Sequence, residues 1–437
     1  MKLMHLIIVA GLIAATQPPA VAQEAAAGKE LITIPREQYQ KLLDDQKMLI
    51  EQMKEMQAFK ARFEAAQKKT AAQQTETDQA LDDLDKQVKS VKQMAKDSYP
   101  GTSKFLMTGY GSAGFIAQDR GGTKQFNATF NPIFLWKLSD RLLFEGELEA
   151  ELEGHETSLA LEMAQISYLL NDYVTIGAGK FLNPMNYFVE RQHMSWVNKL
   201  PDKPLAVYDG LLSEAAVGVQ IRGAIPAGPT KFGYAFYVAN APELNVDPST
   251  DVGTLEHNNF DNFGNHVAVG GRVGFFPIPE LELGYGFQVA DVAPPGNGDS
   301  VNSLLQSVDL SYVRESPRLK GIINLKAQWV WSHVDQFTYD PDAMPFNNRR
   351  DGGYVQLAYR PTRLENAYLK NLEPVFRYDR LSQARTPTEV NEQRYTFGLN
   401  YWLSPSSVFK LAYEWDTQSG PSAEPHNAWL MQFVAGF

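Results

Sequence analysis

The sequence predicts an all-β transmembrane up-and-down barrel of about 16 antiparallel strands, preceded by an α-helical parallel coiled coil. Three observations predict it. From residue 104 onward the chain reads as segments of about ten residues, apolar on every second position, separated by clusters of turn residues. Connections between those segments alternate between short and long. Beyond the N-terminus there is no run of 18 or more apolar residues, so any crossing of a membrane would be made by strands, each with only half of its side chains facing lipid.

Residues 1–22 read as a secretory signal peptide. Lys2 precedes an apolar core from Leu6 to Ala15, and Ala20-Val21-Ala22 supplies an A-x-A cleavage pattern. The core is too short to span a bilayer as a helix. Residues 23–100 form the second region, expected in the periplasm. With Tyr39 at position a, a heptad register runs unbroken through Leu42, Leu49, Met53, Met56 and Phe63 to Leu81, Leu84, Val88, Val91 and Ala95. Its middle is polar, from Gln67 to Thr77. A register sustained this long argues for a parallel coiled coil, with the number of strands left open between dimer and trimer. Sixty helical residues reach roughly 90 Å, enough to make peptidoglycan a candidate contact. Ser98-Tyr99-Pro100-Gly101 ends the helix.

Residues 101–437 form the barrel. The expected strands cover 104–118, 125–138, 142–154, 158–170, 173–181, 215–225, 230–239, 266–276, 280–291, 304–314, 321–333, 352–360, 372–381, 393–403, 407–416 and 427–437. The alternation is plain in Phe232, Tyr234 and Phe236, in Leu281, Leu283, Tyr285 and Phe287, and in Phe409, Leu411, Tyr413 and Trp415. It is weakest in the fourth segment. The third has the composition of a helix, yet Glu145, Glu147, Glu149, Glu151 and Glu153 alternate strictly with Gly146, Leu148, Ala150 and Leu152. A helix would scatter those glutamates around its axis, whereas a strand puts them on one wall, and in lipid that wall faces the lumen. Short connections at 139–141, 171–172, 226–229, 277–279 and 404–406 mark one rim, and long polar ones at 182–214, 240–265 and 334–351 the other.

Composition narrows the chemistry. Cysteine is absent, which removes disulfides, thiolate metal sites and an N-terminal lipid anchor on cysteine. The formal net charge is −11, and residues 23–100 carry 13 basic and 14 acidic side chains, so the acidity belongs to the barrel region and argues against nucleic acid as a partner. The seven histidines fall into no spacing that picks out a catalytic triad, and no calcium-loop spacing occurs in the acidic stretches at 256–261 and 340–342. No enzyme activity and no cofactor or metal site are expected.

Parity assigns lumen-facing side chains. The basic set is Arg222, Lys231, Arg272, Lys326, Arg360 or its neighbours, Arg377, Arg394 and Lys410; the acidic set adds Glu282, Asp309, Glu373, Asp379 and Glu414 to the glutamate ladder. In a ring of 16, the third strand lies opposite the eleventh, so the ladder is expected to face Lys326 and the arginines beyond it, with a transverse field between them.

The terminal strand NAWLMQFVAGF, ending on Phe437, resembles that of bacterial outer-membrane barrels, whose last aromatic residue is read by the assembly machinery. Over residues 105–437 the acidic strand FEGELEAELEG and the stretch YVTIGAGKFLNPMNYFVERQHMSWVNKLPDKPL resemble the porins grouped with the phosphate-selective porins O and P. The resemblance implies a homotrimer in outer-membrane lipid and lipopolysaccharide. It also implies that the third external loop, here 182–214, folds inward to narrow a pore for small hydrophilic solutes. That loop mixes Arg191, His193, Lys199 and Lys203 with Glu190, Asp202 and Asp209, a departure from the dense basic ladder of the phosphate-selective members. A structural tether from outer membrane to cell wall is the alternative role that the coil suggests.

Overall fold

The computed structural model describes residues 105–119, 122–153, 156–207, 210–246, 252–257, 266–294, 300–337, 347–383, 391–420, 423 and 425–437. The signal peptide and the coiled coil lie outside the described residues.

The chain forms a closed barrel of 16 antiparallel strands, as its alternation predicts. In order they are β1 (Phe105–Gln118), β2 (Lys124–Ser139), β3 (Leu142–Glu153), β4 (Glu156–Asn171), β5 (Val174–Leu182), β6 (Ala215–Ala227) and β7 (Thr230–Asn240). A two-residue ladder of β8 (Glu243–Leu244) with β9 (Leu255–Glu256) interrupts the series. It resumes with β10 (Val267–Ile278), β11 (Leu281–Asp291), β12 (Asn302–Ser316), β13 (Gly321–Val334), β14 (Arg349–Arg360), β15 (Leu372–Ser382), β16 (Asn391–Ser404), β17 (Ser407–Ser419) and β18 (Ala428–Gly436). Each barrel strand pairs with its sequence neighbours, β7 pairs with β10, and β18 pairs with β1 to close the ring. Phe105–Leu106 and Trp136–Leu143 are the described residues of a unit separate from Met107–Leu135 and Phe144–Phe437, and within it Phe105 and Trp136 meet edge to face at 5.5 Å.

Register turns sequence parity into two chemically distinct faces. Val219, Val238, Val269, Val289 and Leu304 stand directly across from one another on five successive strands, all exposed on the outer face. Outward aromatic pairs include Phe232 with Phe275 at 4.9 Å, Phe376 with Phe397 at 5.1 Å and Tyr413 with Trp429 at 4.9 Å. Cross-strand pairs of this kind are the unit of sheet stabilisation. The opposite parity carries the buried charges: Arg272, Glu282, Asp309, Glu373, Arg377, Asp379, Lys410 and Glu414.

Strand β4 explains why its pattern is weak. Leu159 and Leu161 are exposed at odd positions, but Ile166, Tyr168 and Leu170 are exposed at even ones. The outward set changes parity between them, as a bulge does. Glu162 then shares its surroundings with Glu147 and Glu149. One connection also departs from the short-turn expectation: residues 361–371 contain a single 3-10 turn at Leu369–Asn371.

The seam is sealed by the last residue. Gly109 N–H donates to Phe437 O at 3.2 Å, Phe437 N–H donates to Gly109 O at 3.0 Å, and Thr108 Oγ1 donates to Phe437 O at 2.6 Å. The Phe437 ring stacks on Phe130 at 5.7 Å.

Candidate functional site

The described residues between β5 and β6 (183–207 and 210–214) enclose the chemistry, because their side chains and carbonyls engage the inward parity of the strands around them. The neck is closed by Asn183 N–H donating to Glu214 O at 2.9 Å. Asn186, fully buried, braces the loop: Oδ1 accepts from Val189 N–H at 3.3 Å and caps a six-residue helix, α1 (Tyr187–Gln192). Its Nδ2 donates to Val207 O at 2.6 Å and Ser213 O at 3.3 Å, joining the outgoing and returning limbs.

The outgoing limb packs on β10 to β14. Met185 O accepts from Ser307 Oγ and from Gln328 Nε2, both at 3.2 Å, while Gln328 Oε1 accepts from Phe188 N–H at 3.1 Å. Phe188 meets the Tyr354 ring edge to face at 5.9 Å, and Tyr354 OH accepts from Gln192 Nε2 at 3.0 Å. Lys326 Nζ donates to Tyr187 OH at 3.2 Å. Arg272 lies 5.0 Å over the Tyr187 ring and is held by Asp309 at 2.6 Å and Glu282 at 2.9 Å.

The returning limb docks on β14 to β18 at three stations. At the first, Trp196 packs on Trp402, Val408 and Val434, and Lys199 bonds Glu373 at 2.9 Å and stands 4.9 Å over Trp402. Lys410 Nζ donates to Ser195 O at 2.5 Å, to Leu200 O at 3.3 Å and to Gln432 Oε1 at 2.8 Å. At the second, Leu200 is fully buried among Ala358, Val375, Ala412, Ala428 and Leu430. Gly398 makes room for it, since a Cβ there would lie 2.4 Å from Leu200 Cδ2. At the third, Arg377 donates from NH1 to Asp202 O at 2.9 Å, from NH2 to Lys203 O at 3.1 Å and from Nε to Asp379 at 2.7 Å. Arg394 bonds the Asp202 carboxylate and Glu392 at 2.9 Å.

Toward β3 and β6 the loop makes charged contacts. Glu190 bonds Arg191 at 3.1 Å and Arg222 at 2.6 Å. Burial alone would raise the Glu190 carboxyl; Arg191, Arg222 and Arg272 outweigh it and hold it at about 2. His193 Nε2 lies 3.3 Å from Glu147 Oε2. The ladder is set in amides and a phenol: Gln165 Nε2 donates to Glu145 at 2.9 Å, Asn131 Nδ2 to Glu149 at 3.0 Å and Tyr110 OH to Glu147 at 3.3 Å. Gln220 Nε2 extends the chain to Gln165 Oε1 at 2.9 Å. Lys231 stands apart, exposed over the Phe276 ring at 4.4 Å.

Thus Arg377, Arg394, Lys410 and Lys326 are brought together with the loop, Arg222 with Glu190, and Glu147 with His193. Residues not singled out from the sequence do much of the holding: Asn186, Gln328, Tyr354, Gln165 and Gln220. The inward parity of the four strand residues was readable, but they carry no charge to draw attention, and Asn186 lies in a loop without a period.

No family model matches the sequence, and no curated protein sequence matches it. Solved structures with a similar fold include OmpF of Salmonella typhi in complex with daunomycin, at TM-score 0.51 and 11% identity, covering 76% of this chain and 97% of that one. They also include the outer membrane channel DcaP of Acinetobacter baumannii, at TM-score 0.50 and 11% identity, covering 76% and 97%. OprB of Pseudomonas putida matches at TM-score 0.50 and 10% identity, covering 76% and 94%. At these identities the likeness is one of fold: a 16-stranded closed barrel.

Proposed function

We propose that the chain is an outer-membrane porin, a water-filled channel for passive diffusion of small hydrophilic, charged solutes, narrowed by residues 182–214. The observation that carries this reading is the division of the wall. The outward face exposes a contiguous apolar and aromatic surface, which suits lipid, while charged groups and a docked loop fill the inward face. The description of DcaP as an outer membrane channel supports the location. In this reading the glutamate ladder Glu145, Glu147, Glu149 and Glu151 of β3, the loop cations Arg191 and Lys203 and Arg222 of β6 are the charges that border the pore. No catalytic role enters this reading.

Assembly follows the same logic. On the outward parity of β1 to β3 the small residues Gly111, Ala113, Ala117, Ala128, Gly146 and Ala150 are interspersed with Phe115, Phe126, Phe130 and Phe144. Small residues let membrane-embedded surfaces approach closely, and this face supports the homotrimer. Residues 1–22 direct export, residues 23–100 form the periplasmic coil with peptidoglycan as its contact, and Phe437 is the assembly signal. Replacing Phe437 with Ala is expected to deplete folded protein from the outer membrane while hardly changing the stability of protein refolded in detergent, because the backbone bonds to Gly109 remain and the one ring stack lost contributes only about 0.5–1.5 kcal/mol. Heat-modifiability on gels reads both.

The test of the porin is conductance of purified protein in a planar lipid bilayer under a tenfold KCl gradient. Openings in threes and a defined reversal potential are expected, and replacing Glu145, Glu147, Glu149 and Glu151 by Gln should move that potential toward anion selectivity. Folded protein that carries no current would overturn the porin and favour the tether, whose role alone depends on residues 23–100.

A further inference from the structure

His193 stands where α1 ends, and its two ring nitrogens face two acceptors. Nδ1 lies 2.5 Å from Val189 O, and Nε2 lies 3.3 Å from Glu147 Oε2. A carbonyl oxygen only accepts, so Nδ1 carries its hydrogen. In the neutral ring Nε2 then has a lone pair and no proton, and would confront the carboxylate acceptor to acceptor. Imidazolium satisfies both contacts at once. Glu147 is positioned for this role by its other oxygen, which accepts from Tyr110 OH at 3.3 Å, and it is 1% exposed.

We propose that His193 and Glu147 form a proton-operated latch across the barrel interior, tying the end of α1 to the β3 wall when the imidazole is protonated and releasing it when the proton leaves. The surrounding charges favour the closed form. Glu147 faces the ring from β3, while Glu149 of β3 and Glu162 of β4 gather with it about the Tyr110 hydroxyl of β1; Lys203 of the loop opposes protonation, and Glu190 and Arg191 precede the ring on α1. Burial alone would lower the imidazole value, but the hydrogen bond and charge of Glu147 and the Val189 carbonyl outweigh it and raise it above the ordinary histidine value of about 6.5. Since the folded value is the raised one, the latch contributes fully below about 6.5 and is lost as pH rises through the raised value. Opening removes one positive charge and uncovers the Glu147 carboxylate, so passage shifts toward cations.

This inference rests on the porin reading only for its electrical arm, and two measurements keep them apart. An imidazole NMR titration of the full chain in detergent, with His193→Gln to assign the signal, is expected to give a His193 midpoint above about 6.5, protonated at Nδ1 throughout, that falls by a unit or more in Glu147→Gln. In bilayers, raising the pH through that midpoint is expected to increase cation selectivity in the wild type and not in His193→Gln. A midpoint at or below the ordinary value, one indifferent to Glu147→Gln, or a selectivity change that persists in His193→Gln would overturn the latch. Absence of current at every pH alongside the expected titration would overturn the porin and leave the latch standing.

Discussion

Replacing Arg377 with Met is expected to lower the unfolding temperature and to raise single-channel conductance several-fold. The side chain is fully buried and makes three bonds: to the Asp202 and Lys203 carbonyls and to Asp379. Methionine keeps the volume but removes every donor. Asp379, itself fully buried, loses its ion partner, and uncompensating a buried charge in this way costs about 3–5 kcal/mol. The loop carbonyls lose their anchor in the same step, and the returning limb is released from β15. Arg377→Lys separates the two effects. It keeps a charge near Asp379 but lacks the planar fork that reaches both carbonyls, so it should recover much of the stability and little of the closed conductance. A thermal melt by circular dichroism and a bilayer recording on each variant check the result; equal conductance in all three would sink it.

Leu200→Asp should undock the same limb from its apolar station. Leu200 is fully buried, and truncation of such a leucine to Ala costs about 2–5 kcal/mol, before a carboxylate is forced among Ala358, Val375, Ala412, Ala428 and Leu430. The expected recording is larger and noisier, with current flickering as the limb comes and goes. The barrel wall keeps its ladder hydrogen bonds, so resistance to heat should change less than for Arg377→Met. Gly398→Val approaches the same state from the wall, because its Cβ would meet Leu200 Cδ2 at 2.4 Å. Combining Gly398→Val with Leu200→Ala removes that clash, and quiet openings should return. Additive effects in the double variant would show that the two positions do not share a site.

How much of this was legible in the sequence follows from which forces are local. Strand existence was, because a wall apolar outside and polar inside must alternate with period 2, as in Tyr395, Phe397, Leu399 and Tyr401. Strand ends agree with the structure to within a few residues. The fourth strand resisted because its outward parity changes between Leu161 and Ile166. The two-residue pair β8–β9 and α1 are too short to impress a period. Charged side chains of inward parity were readable as a group, but their partners were not. That Lys410 holds Ser195 and Leu200, or that Arg394 holds Asp202, depends on a loop path fixed by contacts between residues about 200 positions apart.

The seam between β1 and β18 has a consequence for how the chain reaches its fold. Gly111 pairs with Ala435 and Gln118 with Ala428, so the ring has two open edges until strands more than 300 residues apart meet. Contacts of such sequence separation form slowly, and an unpaired strand edge invites pairing with other chains. Each copy therefore passes through a stage at which β1 and β18 are both adhesive, and its concentration in that state, rather than the stability of the finished barrel, sets the risk of aggregation. Keeping the open-edged chain dilute, or covering both strands until they meet, is therefore what limits that risk.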